Sequence, residues 1–411
     1  MQSALTLSTR GIFAICLDLG IGLKKRALIA MSGGVDSSVT ALLMQRAGYD
    51  CMGVHMLLHG DVCPDIIPEQ SEGSCMSPLK ASCEILPPSS EAQAAANIAR
   101  QLEIPFYKYD LRTRFSHQVI EPFIQGYASG ETPNPCIVCN RQLKFGALLE
   151  IADELDCDVL ATGHYACINY SENYSRWVVQ SAVDSRKDQS YVLYTLSQEQ
   201  LSRIKLPLGD YHKSEIRLLA ADAGFSNAEK AESQDICFVP DGDYAGYIER
   251  TRVAGGQELP VPGDMLDVNG RAVGQHKGLI YYTIGQRKGL GAHGRPVFVQ
   301  SIDAVANTVT IGDDEQGLLH TDFLVRDLNW IALPIAPTQP MKCHVKVGYK
   351  HAKHAGTIQC VQHQSAEYVQ VCFDVAQRAI TPGQAAVFFD SAGTVLGGGT
   401  IDRVLTDRED R

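Results

Sequence analysis

RALIAMSGGVDSSVTALLMQRAGYDCMGVHML, residues 26–57, decides the fold. RALIAM is an apolar run of strand length, SGGVDSS (32–38) is a loop, SVTALLMQRAGY reads as a helix, and CMGVHML (51–57) is the next strand. Strand, glycine-rich loop, helix and strand make a βαβ unit. The pattern repeats downstream: SSEAQAAANIARQLEI (89–104) offers a serine cap and a helical run, and PFYKYDL (105–111) and DVLATGHYA (158–166) read as further buried strands. Ahead of the last of these, Phe145, Leu148, Leu149, Ala152 and Leu155 recur at spacings of three and four, the apolar stripe of a helix. Strands alternating with helices predict an α/β fold with a doubly wound parallel sheet.

The rhythm is broken twice. Residues 60–90 carry five prolines and Cys63, Cys75 and Cys83, and read as an inserted loop. Beyond about residue 200 the chain passes through a helical stretch, HKSEIRLLAADAGF (212–225), into the glycine-rich GQHKGLIYYTIGQRKGLGAHGRP (274–296). From about 318, short β-rich segments such as MKCHVKVGY (341–349), AEYVQVCFD (366–374) and AAVFFDSAGTVLGGGTI (385–401) predict a C-terminal antiparallel β-barrel. The expected organisation is an extension of unknown role over 1–23, a catalytic domain over 24–205 with a segment around 230–240 returning to its active site, a small central domain over 206–311, and the barrel over 312–411.

The chain has 411 residues and a net charge of −11, which excludes a protein that coats nucleic acid by bulk electrostatics while leaving room for a local basic patch. Thirteen scattered cysteines fit reduced cytoplasmic thiols better than a secreted disulfide framework. The N-terminal apolar stretch has its basic residues after it, so no signal peptide is expected, and no run approaches the roughly 18–20 apolar residues of a membrane span.

SGGVDSS sits where a strand ends and a helix begins, so backbone N–H groups and the positive end of the helix converge on an anion. Gly33 and Gly34 let the backbone approach phosphate, Ser32, Ser37 and Ser38 add hydroxyls, and Asp36 is placed to hold magnesium. The lysine of a G-x-x-x-x-G-K-[ST] loop is absent, which excludes the kinase and GTPase type of site. A second constellation is TPNPCIVCN (132–140). Cys136-Ile-Val-Cys139 reads as half a zinc site, a redox pair, an inert buried pair or a reactive thiolate. No second C-x-x-C supports zinc, and the proline-rich lead-in is unlike a redox motif. Cys139 is expected at a helix N-terminus, where the dipole lowers a thiol pKa.

SGGVDSS resembles the pyrophosphatase loop of the adenylating ATP pyrophosphatases. Together with TPNPCIVCNRQLKF, ATGHYA, KDQSYVLYTLS, SQDICF, GLIYYTIGQRKGLG and TPGQAAVFF, in that order along residues 26–402, it resembles the tRNA-specific 2-thiouridylase family. The resemblance implies ATP-dependent adenylation and then sulfur transfer to C2 of the wobble uridine in the tRNAs for Lys, Glu and Gln. It implies an ATP site at Ala30, Met31, Ser32, Gly33, Gly34, Val35, Asp36, Ser37, Met56 and Gly163, served by Mg2+. Cys139 becomes the nucleophile and Cys237 the persulfide carrier, loaded by a sulfur-relay protein or cysteine desulfurase. Asn134, Pro135 and Cys136 surround the flipped base, while His164, Lys187, Asp188, Gln189, Gly348, Tyr349 and Gln384 contact tRNA, the last three at the anticodon arm. The basic run Lys342, Lys346, Lys350, His351, Lys353 and His354 adds phosphate contacts. Many family members carry Asp at the place of Cys136. With three cysteines, two schemes stand open: a disulfide between Cys139 and Cys237, or a [4Fe–4S] cluster on Cys136, Cys139 and Cys237. Two rivals remain, a small-molecule-adenylating ATP pyrophosphatase and a non-catalytic iron–sulfur RNA-binding protein.

Overall fold

The computed structural model describes residues 24–58, 91–230, 236–363 and 366–405. The inserted loop with Cys63, Cys75 and Cys83, and the extension over 1–23, lie outside the described residues.

The first layer is a five-stranded parallel sheet of β1 (Arg26–Ala30), β2 (Asp50–Leu57), β3 (Phe106–Asp110), β4 (Val159–Ala161) and β7 (Ile204–Lys205), in the order β3-β2-β1-β4-β7. Leu28 in the central strand faces Met52 on one side and Leu160 on the other. Ala27 and Ile29 point into one core with α1 (Val35–Arg46), α2 (Glu91–Gln101) and α6 (Lys213–Asp222), while Leu28 points into another with Phe115, Leu143, Phe145 and Leu148. Burial on both faces explains why the strands read as unbroken apolar runs. Strand order reverses between β1 and β4, and ligands of open α/β sheets bind at such a reversal, beyond the carboxyl ends of the strands. The loops following β1 and β4 are SGGVDSS and Thr162-Gly163-His164. The expected boundary after residue 205 falls between β7 and α6, a helix that packs against α1 of this same sheet.

The predicted helix beneath β4 is present in three pieces. It begins at α4 (Pro135–Cys139), widens into a π-helical segment over Asn140–Ala147 and ends as α5 (Leu148–Glu154), with α3 (Glu121–Ala128) preceding it. Phe145, Leu148, Leu149 and Ala152 are buried as their spacing predicts, and Leu155 is half-buried.

A hairpin of β5 (Ala166–Ser171) and β6 (Arg176–Ser181) leads away from the sheet. Next come α7 (Tyr244–Ala254) and a four-stranded sheet of β8 (Gly263–Leu266), β9 (Ala272–His276), β10 (Phe298–Asp303) and β11 (Thr308–Gly312) around Met265, Val299, Val309 and Ile311. The chain closes with an antiparallel barrel of β12 (Leu319–Trp330), β13 (Met341–Lys346), β14 (His354–His363), β15 (Ala366–Arg378), β16 (Ala385–Phe389) and β17 (Val395–Val404), ordered β12-β15-β14-β13-β16-β17. Closure leaves no unpaired sheet edge, and Phe323, Val345, Val371 and Phe388 fill the interior. No described helix is long and apolar enough to cross a membrane.

The barrel is fastened to the first layer through buried polar bonds. Tyr191, fully buried, donates its hydroxyl to the Ala385 carbonyl at 2.9 Å, and Asn329 donates to the Tyr194 carbonyl at 2.6 Å. A buried carbonyl stripped of its donor costs about 1–3 kcal/mol. Tyr191→Phe is therefore expected to lower the stability of the barrel-to-sheet junction by about that amount in urea titration. An unchanged unfolding midpoint would show that the junction does not depend on this bond.

Candidate active site

Gly34 caps α1 from outside the helix and Gly33 takes φ +80°, where a side chain would collide with the carbonyl oxygen of Glu91. Only glycine fits there. Ser37 Oγ donates to the Gly34 carbonyl at 3.0 Å and accepts the Ser32 N–H at 3.2 Å, which curls the loop over the first turn of α1. Asn227 braces it from outside, donating to the Gly33 carbonyl at 3.1 Å and to Ser38 Oγ at 2.9 Å, and leaves its own Oδ1 buried without a partner. Gly163 abuts the same turn: a Cβ there would lie 3.1 Å from Asp36 Cβ and from the Ser37 nitrogen. Ala30 and Met31 carry the backbone into this site, with the Met31 N–H on the Val54 carbonyl at 2.8 Å, and half-buried Met56 packs beside them. The residues expected around a nucleotide thus surround one helix N-terminus.

Asp36 is held more firmly than its place in a loop motif suggests. Lys213 Nζ donates to both its oxygens, at 2.7 and 2.8 Å, and the Tyr165 hydroxyl donates to Oδ1 at 2.7 Å. Lys213 is itself only 8% exposed, and its backbone N–H donates to Asp184 Oδ2 at 3.1 Å. The Lys213 and Arg186 N–H groups and the Arg186 charge hold the Asp184 carboxyl below its ordinary range. Sequence reading missed Lys213, Tyr165, Asp184 and Asn227. One signal for Lys213 was present: it occupies the first turn of a helix, where the dipole disfavours a cation.

Beside this site stand the thiols. Asn134 accepts the Cys136 N–H at 3.1 Å and Pro135 is the first residue of α4, so Cys136 lies at the helix N-terminus and Cys139 one turn in, where the helix widens into the π-helical segment. The expectation that Cys139 stands at the helix start is corrected to that extent. Cys139 is 6% exposed, and burial raises its thiol pKa against the pull of the Lys144 charge. Cys136 and Cys237 are exposed. The Cys237 thiol is pushed up to about 11, first by loss of water from its surroundings and then by Cys139, with Lys144 opposing and Cys136 adding to the rise. These effects place Cys139, Cys136 and Lys144 around Cys237. Even so, among the described residues no group of three His, Cys, Asp or Glu is arranged to hold a metal ion. The three thiols that an iron–sulfur cluster would need are neighbours, but they do not form such a group.

The residues expected to touch RNA divide by location. His164 is buried, its Nδ1 2.8 Å from Thr162 Oγ1 and its ring beside Phe145, and burial holds its pKa well below the ordinary imidazole value. Asp188 accepts the backbone N–H groups of Ala182 and Ser190, and Gln189 accepts the Tyr165 N–H at 2.9 Å, while the Lys187 N–H reaches the Asp184 carbonyl. This stretch therefore braces the residues that hold Asp36. Gln384, at the rim of the barrel, donates to the Thr132 carbonyl at 2.6 Å, the Thr132 N–H returns a bond to the Pro382 carbonyl, and Arg326 pairs with Glu131 at 2.7 Å. The loop carrying Asn134, Pro135 and Cys136 is thus tied to the barrel. Tyr349, following Gly348, is exposed, and Lys346 lies 5.7 Å from its ring. Two members of the basic run have internal partners, Lys342 with Asp374 and Lys353 with Ser181.

The same residues are matched by known proteins. A family model described as a tRNA methyl transferase HUP domain matches residues 25–241, followed by a PRC-barrel domain over 256–313 and an aminomethyltransferase β-barrel domain over 320–401. The tRNA-specific 2-thiouridylase of Symbiobacterium thermophilum is 44% identical over 93% of this chain and 93% of that protein. The chain belongs to the tRNA-specific 2-thiouridylase family. Proteins of the same name from Moorella thermoacetica and Clostridioides difficile are 45% and 40% identical, over 92% and 93% of this chain and 99% of each relative. In this member burial raises the pKa of both Cys139 and Cys237.

A thiol pushed to about 11 gains thiolate about tenfold per pH unit below that value. Iodoacetamide labelling of Cys237, read by peptide mass spectrometry, is expected to keep rising beyond about pH 10. Labelling that levels off near pH 8 would contradict the surroundings described for this thiol.

Proposed function

We propose that the protein binds tRNA, adenylates O2 of the wobble uridine of the Lys, Glu and Gln tRNAs with ATP, and replaces that oxygen by sulfur, releasing AMP and pyrophosphate. The observation that carries this reading is the pairing of a phosphate-cradling helix N-terminus with a cluster of thiols at the end of one sheet. A methyl transferase, the word in the family model's description, needs neither of these. The relatives are named for thiolation.

The chemistry divides between the two places. Uridine O2 attacks the α-phosphorus of ATP and pyrophosphate leaves; the N–H groups at the start of α1 and the Ser32 and Ser37 hydroxyls face the departing charge. Asp36 is the residue that would hold magnesium, which would supply positive charge to the phosphates. AMP then makes the former carbonyl oxygen a good leaving group. Cys237 carries sulfane sulfur as a persulfide, received from a sulfur-relay protein or a cysteine desulfurase in the cytoplasm. Because Cys139 is buried beside Cys237, its attack is placed on the Cys237 sulfur rather than on the base. A Cys139–Cys237 disulfide forms, the persulfide bond breaks, and the released hydrosulfide attacks C2 as AMP departs with the oxygen. A dithiol reductant returns the two electrons before the next cycle. The target base is reached by extrusion from the anticodon loop toward Asn134, Pro135 and Cys136. Tyr349 and the neighbouring basic residues are the proposed contacts of the anticodon arm, with Lys187 as a further RNA contact.

Thiolation of unmodified tRNA with ATP and a persulfide donor tests the scheme. Cys139→Ser and Cys237→Ser are expected to fall to background, while Cys136→Ser keeps thiolating. Full activity of Cys139→Ser contradicts the relay, and background activity of Cys136→Ser restores a three-thiol scheme.

A further inference from the structure

The parallel-sheet layer, the four-stranded sheet and the barrel all meet at the loop from Gly130 to Asn134, whose last residue caps the cysteine helix. From α3, Gly126 lies so close that a Cβ on it would stand 2.9 Å from Pro133 Cγ, and its carbonyl accepts the Glu131 N–H at 2.9 Å. From β10, Ile302 Cγ2 would stand 2.8 Å from a Cβ on Gly130. From the barrel, Gly383 at φ +86° would put a Cβ 2.8 Å from that of Glu131. The Glu131 carboxylate pairs with Arg326 on β12 at 2.7 Å, although the two residues are 195 positions apart. Arg326 is itself gripped by Asp402 on β17 at 3.2 Å and by Asp327 at 2.6 Å. A guanidinium fixed on two sides presents its remaining N–H at a set place. Beyond the loop, α4 presses Ile137 and Cys139, 7% and 6% exposed, into the core.

We propose that Glu131, held by Arg326, is a positioning residue for Cys139: the ion pair fixes how deeply α4 seats in the core, and so sets the access of the Cys139 sulfur to its partner. The proposal rests on the thiolation reading given above for what Cys139 does, and adds no covalent step. The Gln384 and Pro382 bonds both fall on the peptide groups of Thr132, about which the chain could still swing. The Glu131–Arg326 pair, one residue earlier, is a second point of attachment and fixes the orientation of the loop.

The test is iodoacetamide labelling of the full-length protein at fixed, mildly alkaline pH, read by peptide fragmentation that separates Cys139 from Cys136. Cys51 on β2, 3% exposed, reports opening of the whole fold in the same sample. Glu131→Gln keeps the shape of the side chain and removes its charge. It is expected to raise Cys139 labelling roughly two- to fivefold, the range of a partly exposed ion pair, with Cys51 labelling unchanged. Glu131→Asp, which keeps the charge one methylene shorter, is expected to restore most of the protection. In thiolation, Glu131→Gln is expected to lower kcat by a similar factor and to leave KM for ATP where it was, with Glu131→Asp recovering most of the rate. Cys139 labelling that stays unchanged in Glu131→Gln, or that rises together with Cys51, overturns the proposal, as does an unchanged kcat. Labelling involves neither tRNA nor ATP, so absence of thiolation in the wild type would count against the reading above and not against the tie between Glu131 and Cys139.

Discussion

An anion-binding helix N-terminus that carries its own carboxylate needs a counter-charge, and much of the first layer is arranged around supplying it. Lys213 neutralises Asp36, Tyr165 orients it, Asp184 clamps the backbone of Lys213, and Gln189 clamps that of Tyr165. They come from stretches of chain far apart in sequence, around Tyr165, Asp184 to Gln189, and Lys213. A buried ion pair is weak evidence of stability, because desolvating both charges consumes most of the attraction. Its value lies in geometry: α6 and the loop after β4 have to arrive at fixed places for the pair to form.

The thiol site depends on a second convergence. The barrel holds the loop from Glu131 to Cys136 through Arg326, Pro382 and Gln384. The barrel that grips this loop at the start of the cysteine helix also carries Lys346 beside the exposed Tyr349. Cys139 sits one turn into that helix, where the backbone widens into the π-helical segment. Such insertions recur at functional sites because they turn a side chain away from ordinary helical register.

Much of this was legible in the sequence. Buried parallel strands announce themselves as apolar runs, and SGGVDSS between the first strand and helix reads as the loop that curls over the start of α1. The barrel followed from short strands punctuated by turns. What escaped was of two kinds. One was local and readable: Asn134 followed by Pro135 is a helix cap and first residue, so α4 starts at Pro135 and Cys139 lies a turn further in than expected. The other was long-range: no periodicity reveals that Lys213 meets Asp36, that Gln384 reaches Thr132, or that burial sets the thiol pKa values. Whether Cys136, Cys139 and Cys237 share a centre is long-range in the same way, since three cysteines in a sequence carry no information about where their sulfurs point.

The central claim is that the uridine oxygen leaves on AMP. It is tested most directly by following oxygen from tRNA labelled with 18O at O2 of the wobble uridine through one round of thiolation with ATP. The account predicts that the label appears in the phosphate of AMP, with unlabelled pyrophosphate as the other product. Label released to water, or ADP and phosphate in place of AMP and pyrophosphate, would contradict it.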